Sequence, residues 1–213
     1  MKDLLQLPNL VSLLRIFLTP VIGYYLWLND SRATLICVVL IVIAGITDGL
    51  DGYLARRMNK ITPLGIALDP VADKIFAGIL VILLVMFRDF PLWLAAVIIG
   101  RDLVILLAGM ILIKNRHITL PSNLTGKYAF TAIACLLGSY VIRFRFGMTL
   151  FTWLTVLFTV LSLINYSRVF RHIRQNRPAP NFADKPIYRA GRIILTVGLS
   201  IVTLIYLYLV YLK

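Results

Sequence analysis

The chain has 213 residues, 60% of them hydrophobic and only 15% charged, with a mean hydropathy of +0.90. A soluble domain carries roughly 25% charged residues and a disordered chain needs low hydrophobicity, so both classes are excluded and an all-α polytopic membrane protein is expected. Lys and Arg total 22 against nine acids, a net charge of +13; all nine acids are Asp, and four of them fall between residues 48 and 73.

A membrane-spanning helix takes about 20 mostly apolar residues. Seven such runs occur, at 9–28, 33–55, 64–87, 91–113, 127–146, 149–170 and 191–212. The breaks between them fall at Asn29–Arg32, Arg57–Pro63, Arg88–Phe90, Lys114–Gly126, Arg143–Met148 and Arg171–Ala190. Alternation of sides puts 14 of the 22 basic residues on the side of the N-terminus and five on the other; Arg15, Lys74 and Arg101 lie within spans. The positive-inside rule then sets the N-terminus in the cytoplasm and the C-terminus outside. The basic excess therefore reads as a membrane charge bias and not as a nucleic-acid footprint. The first apolar run is broken by Arg15 and no small-residue cleavage site follows, so it does not read as a cleavable signal.

Residues 171–190 carry four Arg, one Lys and three Pro and read as a basic cytoplasmic linker beside anionic headgroups. The last run, 191–212, reads as an extra, lipid-facing span. Cys37 and Cys135 sit in apolar runs with no metal or disulfide spacing and are expected to pack as small hydrophobes. His117 and His172 fall in basic loops and read as solvated. Trp27, Trp93 and Trp153 lie near span ends, where interfacial aromatics belong.

Ionisable residues inside membrane helices are costly and point to function. The second span ends in Thr47-Asp48-Gly49-Leu50-Asp51-Gly52-Tyr53-Leu54-Ala55-Arg56, and the third begins Gly65-Ile66-Ala67-Leu68-Asp69-Pro70-Val71-Ala72-Asp73-Lys74. Asp48 and Asp51 are spaced i, i+3, and Asp69 and Asp73 are spaced i, i+4, so each pair shares a helix face. Consecutive helices with a short connection are antiparallel neighbours, which brings four carboxylates toward one cytoplasmic edge. Such a cluster repels itself at low dielectric. Two divalent cations, which favour oxygen ligands, would compensate it. Metals beside a spare carboxylate suit phosphoryl or phosphatidyl transfer, with the metals clamping the phosphate and the carboxylate accepting a hydroxyl proton. Structural ion pairing and an acidic cation-transport path are the other readings. Transport would call for aspartates spread along a pore, whereas these crowd one edge.

The run Asp48-x2-Asp51-Gly52-x2-Ala55-Arg56-x8-Gly65-x3-Asp69-x3-Asp73 resembles the signature of the CDP-alcohol phosphotransferases at all eight fixed positions over 26 residues. Pro8-Asn9-Leu10-x2-Leu13-x-Arg15 resembles the family's opening, and the likeness covers about residues 5–170. It implies a six-helix transmembrane catalytic bundle, here over residues 1–172; the basic linker and seventh run read above in 173–213 depart from that six-helix pattern. It also implies a homodimer and displacement of CMP from a CDP-linked donor by a hydroxyl acceptor with Mg²⁺ or Mn²⁺. Carried over, Asp48, Asp51 and Asp69 resemble metal ligands, and Asp73 a ligand, the general base, or both. Asp48, Gly52, Ala55, Arg56 and Gly65 resemble the donor pocket.

Within the family the motif is most similar to the branch holding phosphatidylglycerophosphate synthases and CDP-diacylglycerol-dependent cardiolipin synthases. The implied donor is CDP-diacylglycerol and the implied acceptor a phosphate-bearing alcohol. Sn-glycerol 3-phosphate is favoured over phosphatidylglycerol or an inositol phosphate. Arg101, Lys127 and Arg168 are the cations offered for the acceptor phosphate. Arg101 could instead pair with Asp102 or the motif aspartates, and Lys127 and Arg168 could be interfacial anchors. The expected location is a bacterial inner (plasma) membrane with the active site facing the cytoplasm.

Overall fold

A computed structural model describes residues 7–57, 63–116 and 124–175, together with Tyr206 and Tyr208. Within these it describes only the backbone of 7–14, 16, 46–57, 63–73 and 112–116. The described residues form six α-helices: α1 Leu7–Leu28, α2 Ser31–Arg57, α3 Pro63–Phe87, α4 Leu92–Arg116, α5 Leu124–Val141 and α6 Arg145–Arg174. They correspond in order to the first six apolar runs. The seventh run, 191–212, lies outside the described residues except for Tyr206 and Tyr208.

The chain divides into two compact units, residues 1–91 and 92–213. In unit 1, α1 packs against both α2 and α3. Ile22 and Leu26 from α1, Cys37 from α2, and Leu80, Val81 and Leu84 from α3 are buried. At one end of this unit, Arg88 follows α3 and is itself buried. Its Nη1 donates to Asn29 Oδ1 in the α1–α2 turn, and its Nη2 donates to Thr34 Oγ1 on α2 at 3.0 Å. A guanidinium with several directed donors can tie three chain segments at once.

In unit 2, α6 packs against α5 and touches α4. Ala129, Leu136 and Val141 from α5 and Thr155 and Val169 from α6 are enclosed, and Tyr128 stacks on Phe158 with ring centroids 5.4 Å apart. Cys37 is buried, Cys135 is half-buried, and both are free thiols.

Two of the described helical stretches, Leu92–Ile111 and Arg145–Arg174, are long and apolar enough to cross a membrane. Their outer faces carry Leu103, Val104, Leu107 and Met110 on α4, and Trp153, Leu157 and Val160 on α6, all exposed. Helices that are apolar all round yet mostly unburied need an apolar solvent. The described parts of α1, α2 and α3 include shorter apolar stretches at Phe17–Leu28, Ser31–Gly45 and Lys74–Phe87. Trp27, Trp93 and Trp153 are all exposed, although Trp153 lies two turns into α6 and not at its end.

Three helix ends share one device. Asn29, Asp89 and Arg143 all have φ near the left-handed value, at 54°, 55° and 55°. After α5 the geometry is a Schellman closure: Arg143 N–H donates to Tyr140 O at 3.3 Å and Phe144 N–H to Ser139 O at 2.9 Å. This corner corrects two boundaries. The break expected at Arg143–Met148 is a three-residue turn, Ile142–Phe144, and α6 begins at Arg145. Arg143 and Arg145 mark the break in the sequence, but charge alone does not say which residues make a turn this short. At its other end α6 reaches Arg174, so Arg171 and His172 are helical and not part of a loop. Basic residues in a last turn complement the carbonyl end of a helix. His172 is half-buried with Nδ1 enclosed, which corrects the reading of a solvated side chain.

The corner is tight at Gly147. A Cβ there would lie 2.5 Å from both Phe144 Cδ1 and Ser139 Oγ. Gly147→Ala is expected to cost about 2 kcal/mol through overpacking. The readout is a lower unfolding midpoint in detergent; an unchanged midpoint would show that the corner yields freely.

Candidate active site

The carboxylate motif falls at the end of α2 and the start of α3, both in unit 1. Asp48, Asp51, Gly52, Ala55 and Arg56 occupy the last turns of α2, and Gly65, Asp69 and Asp73 the first turns of α3. Both runs are helical, as the i, i+3 and i, i+4 spacings require for each pair to share a face. The side chains of all eight lie outside the described residues, as does the connection 58–62. Among the residues whose side chains are described, no three His, Cys, Asp or Glu come together. The motif gathers four of the nine acids within 26 residues of sequence, and carboxylates are the donor chemistry that Mg²⁺ or Mn²⁺ takes.

The three basic residues offered for an acceptor phosphate all belong to unit 2. Arg101 on α4 is 9% exposed. Its Nη1 donates to Asp102 Oδ1 at 2.5 Å, and its Nη2 donates to Ser162 Oγ on α6 at 3.2 Å. Both readings of Arg101 therefore bear on the same side chain: it is internally paired with Asp102, and it is held in place. Lys127 is half-buried on α5, directly after Gly126. Gly126 lies against Arg101, with Nη2 3.6 Å from the point where a Cβ would be. Arg168 is exposed on α6, about 9 Å further along the helix than Ser162 at 1.5 Å per residue.

Several neighbours of Arg101 escape a search for charges. Ser162 accepts from it and Gly126 lies against it, Tyr166 packs on Gly126, and Asn165 Nδ2 donates to Thr125 Oγ1 at 3.2 Å, tying α6 to α5. One signal for Ser162 was present in the sequence. Thr155, Thr159 and Ser162 follow an i, i+4, i+7 spacing in an otherwise apolar helix, and all three are fully buried. Polar residues on one stripe of an apolar helix mark its inward face.

A helical, membrane-compatible chain with this aspartate run on two consecutive helices defines a class of membrane-embedded transferase. The chain belongs to the CDP-alcohol phosphatidyltransferase family, which it matches over residues 5–161. A Pseudomonas fluorescens protein named CDP-diacylglycerol–glycerol-3-phosphate 3-phosphatidyltransferase is 41% identical over 104 residues, 47% of this chain and 53% of that one. An Aquifex aeolicus protein of the same name is 32% identical over 163 residues, 75% of this chain and 89% of its own length. A Drosophila melanogaster protein named probable cardiolipin synthase (CMP-forming) is 36% identical over 132 residues, 62% of this chain and 39% of that one. The chain thus spans about half of the Pseudomonas relative and most of the Aquifex one.

Proposed function

We propose that the protein transfers a phosphatidyl group from CDP-diacylglycerol to sn-glycerol 3-phosphate, releasing CMP. The observation that carries this reading is the complete eight-residue motif from Asp48 to Asp73, lying inside the stretch that matches the family. The Pseudomonas and Aquifex relatives carry the name of this reaction.

Asp73 takes the proton of the acceptor hydroxyl. The acceptor oxygen forms a bond to the phosphorus nearer the diacylglycerol, the bond from that phosphorus to the CMP oxygen breaks, and CMP leaves. Asp48, Asp51 and Asp69, with Asp73, would hold two divalent ions, Mg²⁺ or Mn²⁺, which supply Lewis-acid stabilisation of phosphate charge. Arg56 offers a guanidinium to donor phosphate oxygens. Asp48 with Gly52, Ala55 and Gly65 forms the donor pocket, where small residues permit close approach to the backbone. Arg101, Lys127 and Arg168 take the acceptor's phosphate.

The catalytic unit is read as a six-span bundle that works as a homodimer, with the N-terminus and the aspartates at the cytoplasmic face. A seventh span follows. What supports it is a single ring contact. Tyr206 lies 4.8 Å from Phe144, at the start of α6, whereas Gln175 follows the opposite end of that helix.

A second reading has phosphatidylglycerol as acceptor. It draws on the Drosophila relative's name and on Asp102, which offsets the charge of Arg101 and leaves a site better matched to a monoanionic diester. The test is CMP release by purified protein given CDP-diacylglycerol and Mg²⁺. Release is expected on adding glycerol 3-phosphate and not without an acceptor. No release with glycerol 3-phosphate, phosphatidylglycerol or inositol phosphate overturns the transferase reading.

A further inference from the structure

The packed face of α1 in unit 1 ends in an arginine. Arg15, Thr19, Ile22 and Leu26 follow one another at i, i+4, i+7 and i+11, and all four are buried, Arg15 at 4% exposure. They form one stripe on a helix that packs against both α2 and α3. Two contacts set the register. Cys37 Sγ of α2 donates to Ile22 O at 3.6 Å, and a Cβ on Gly23 would lie 3.0 Å from Leu83 Cδ2 of α3. After so short a turn α2 runs antiparallel to α1, so Arg15, as far before Ile22 as Ala44 is after Cys37, lies level with Ala44. Helices α1 and α3 end at the same Arg88–Asn29 corner and run parallel, which puts Arg15 level with Ile75 on α3. At about 1.5 Å per residue, Asp73 is about 3 Å and Asp48 about 6 Å from that level, both toward the N-terminus of α1. The Cα–Cβ bonds of a helix tilt in that direction.

The aspartates also continue the packed faces. On α2, Asp48 and Asp51 stand two heptads beyond Thr34 and Cys37; on α3, Asp69 and Asp73 stand eleven residues before Leu80 and Leu84. Thr34, Cys37, Leu80 and Leu84 are all buried, and steps of seven or eleven return to nearly the same side of a helix. An arginine keeps its charge at any depth, and a buried charge calls for an opposite one. Of the other acids in unit 1, Asp30 and Asp89 stand at the Arg88 corner, about 22 Å away along α1, and Asp3 lies outside the described residues. The acids at the level of Arg15 are those of the motif. We propose that Arg15 is a positioning residue of the carboxylate site: a fixed counter-charge at its inner end that keeps Asp73 available to the acceptor hydroxyl, where the metal ions alone would draw it in. The role of Asp73 as base rests on the transfer reading above. The juxtaposition of Arg15 with the aspartates rests on the register of α1, α2 and α3.

The test pairs Mn²⁺ binding, read from the EPR signal of the free ion, with CMP-release kinetics on the purified full chain. Arg15→Gln keeps a polar side chain and removes the charge. Mn²⁺ is expected to bind about tenfold more tightly, the scale of a unit charge acting on a divalent ion from about 6 Å in water. Turnover should fall about 100-fold, as for a reacting group misplaced by about 1 Å, with the KM for CDP-diacylglycerol within about threefold. Arg15→Lys keeps the charge and should keep wild-type Mn²⁺ affinity and recover much of the rate. In an Asp73→Asn background either substitution should cost no further rate, because a residue that acts through Asp73 has nothing left to position. Mn²⁺ bound equally or more weakly in Arg15→Gln, or rate losses that multiply in the double variant, would make Arg15 a packing residue and overturn the proposal. Should Arg15→Gln fail to fold, Arg15→Lys decides: weakened Mn²⁺ affinity, or a loss that multiplies with Asp73→Asn, overturns it. Mn²⁺ affinity that depends on Arg15 as expected, in a wild-type protein that releases no CMP, would support the counter-charge while overturning the transfer reading.

Discussion

Asp73→Asn is expected to lower the rate of CMP release about 10³-fold, while CDP-diacylglycerol still binds with affinity close to that of the wild type. The two side chains are nearly isosteric. An amide oxygen can still face a cation, but the amide cannot accept a proton at neutral pH, and general-base catalysis contributes about 10²–10⁴ in rate. Asp73 lies in the first turns of α3, one helical turn beyond Asp69 and on the same face. Asp69 can thus serve a metal while Asp73 serves the acceptor hydroxyl. Loss of donor binding in step with turnover would make Asp73 a metal ligand only, and full activity in Asp73→Asn would remove it from the chemistry.

Removal of divalent ions is expected to have an effect of similar size. Four carboxylates fall within 26 residues on two helices, in a chain that has only five other acids. With no counter-cation they would repel one another, and near a membrane boundary the repulsion is weakly screened. Treatment with EDTA should bring CMP release to background, and added Mg²⁺ or Mn²⁺ should restore it where Na⁺ at equal ionic strength does not. Turnover that survives thorough chelation would contradict the role assigned to Asp48, Asp51, Asp69 and Asp73.

The readability of this chain follows from which forces leave a mark in the sequence. Apolar periods of helical length are set by the bilayer, so α1 to α4 begin and end within three residues of the hydropathy breaks. The α5–α6 corner was misplaced because backbone geometry, and not polarity, makes it. Arg143 takes a left-handed φ and two N–H groups close back onto α5; the two arginines mark the break, but the turn's exact residues are set by backbone conformation. The motif was legible because eight chemically specific residues stand at fixed spacing. The surroundings of Arg101 were only half legible. Asp102 is its sequence neighbour and an obvious partner, but Ser162 is 61 positions away and Gly126 and Tyr166 carry no charge. Their convergence is a product of helix packing, which a linear reading does not contain.

Transfer of the phosphatidyl group to sn-glycerol 3-phosphate leaves its mark in the lipid product. The direct measurement supplies ¹³C-labelled glycerol 3-phosphate and CDP-diacylglycerol to the purified full chain, then identifies the lipid product by mass. Label is expected in a lipid that carries a terminal phosphomonoester, formed one-for-one with CMP. Label that stays in the aqueous phase while CMP is released, or a lipid formed only when phosphatidylglycerol is added, would contradict it.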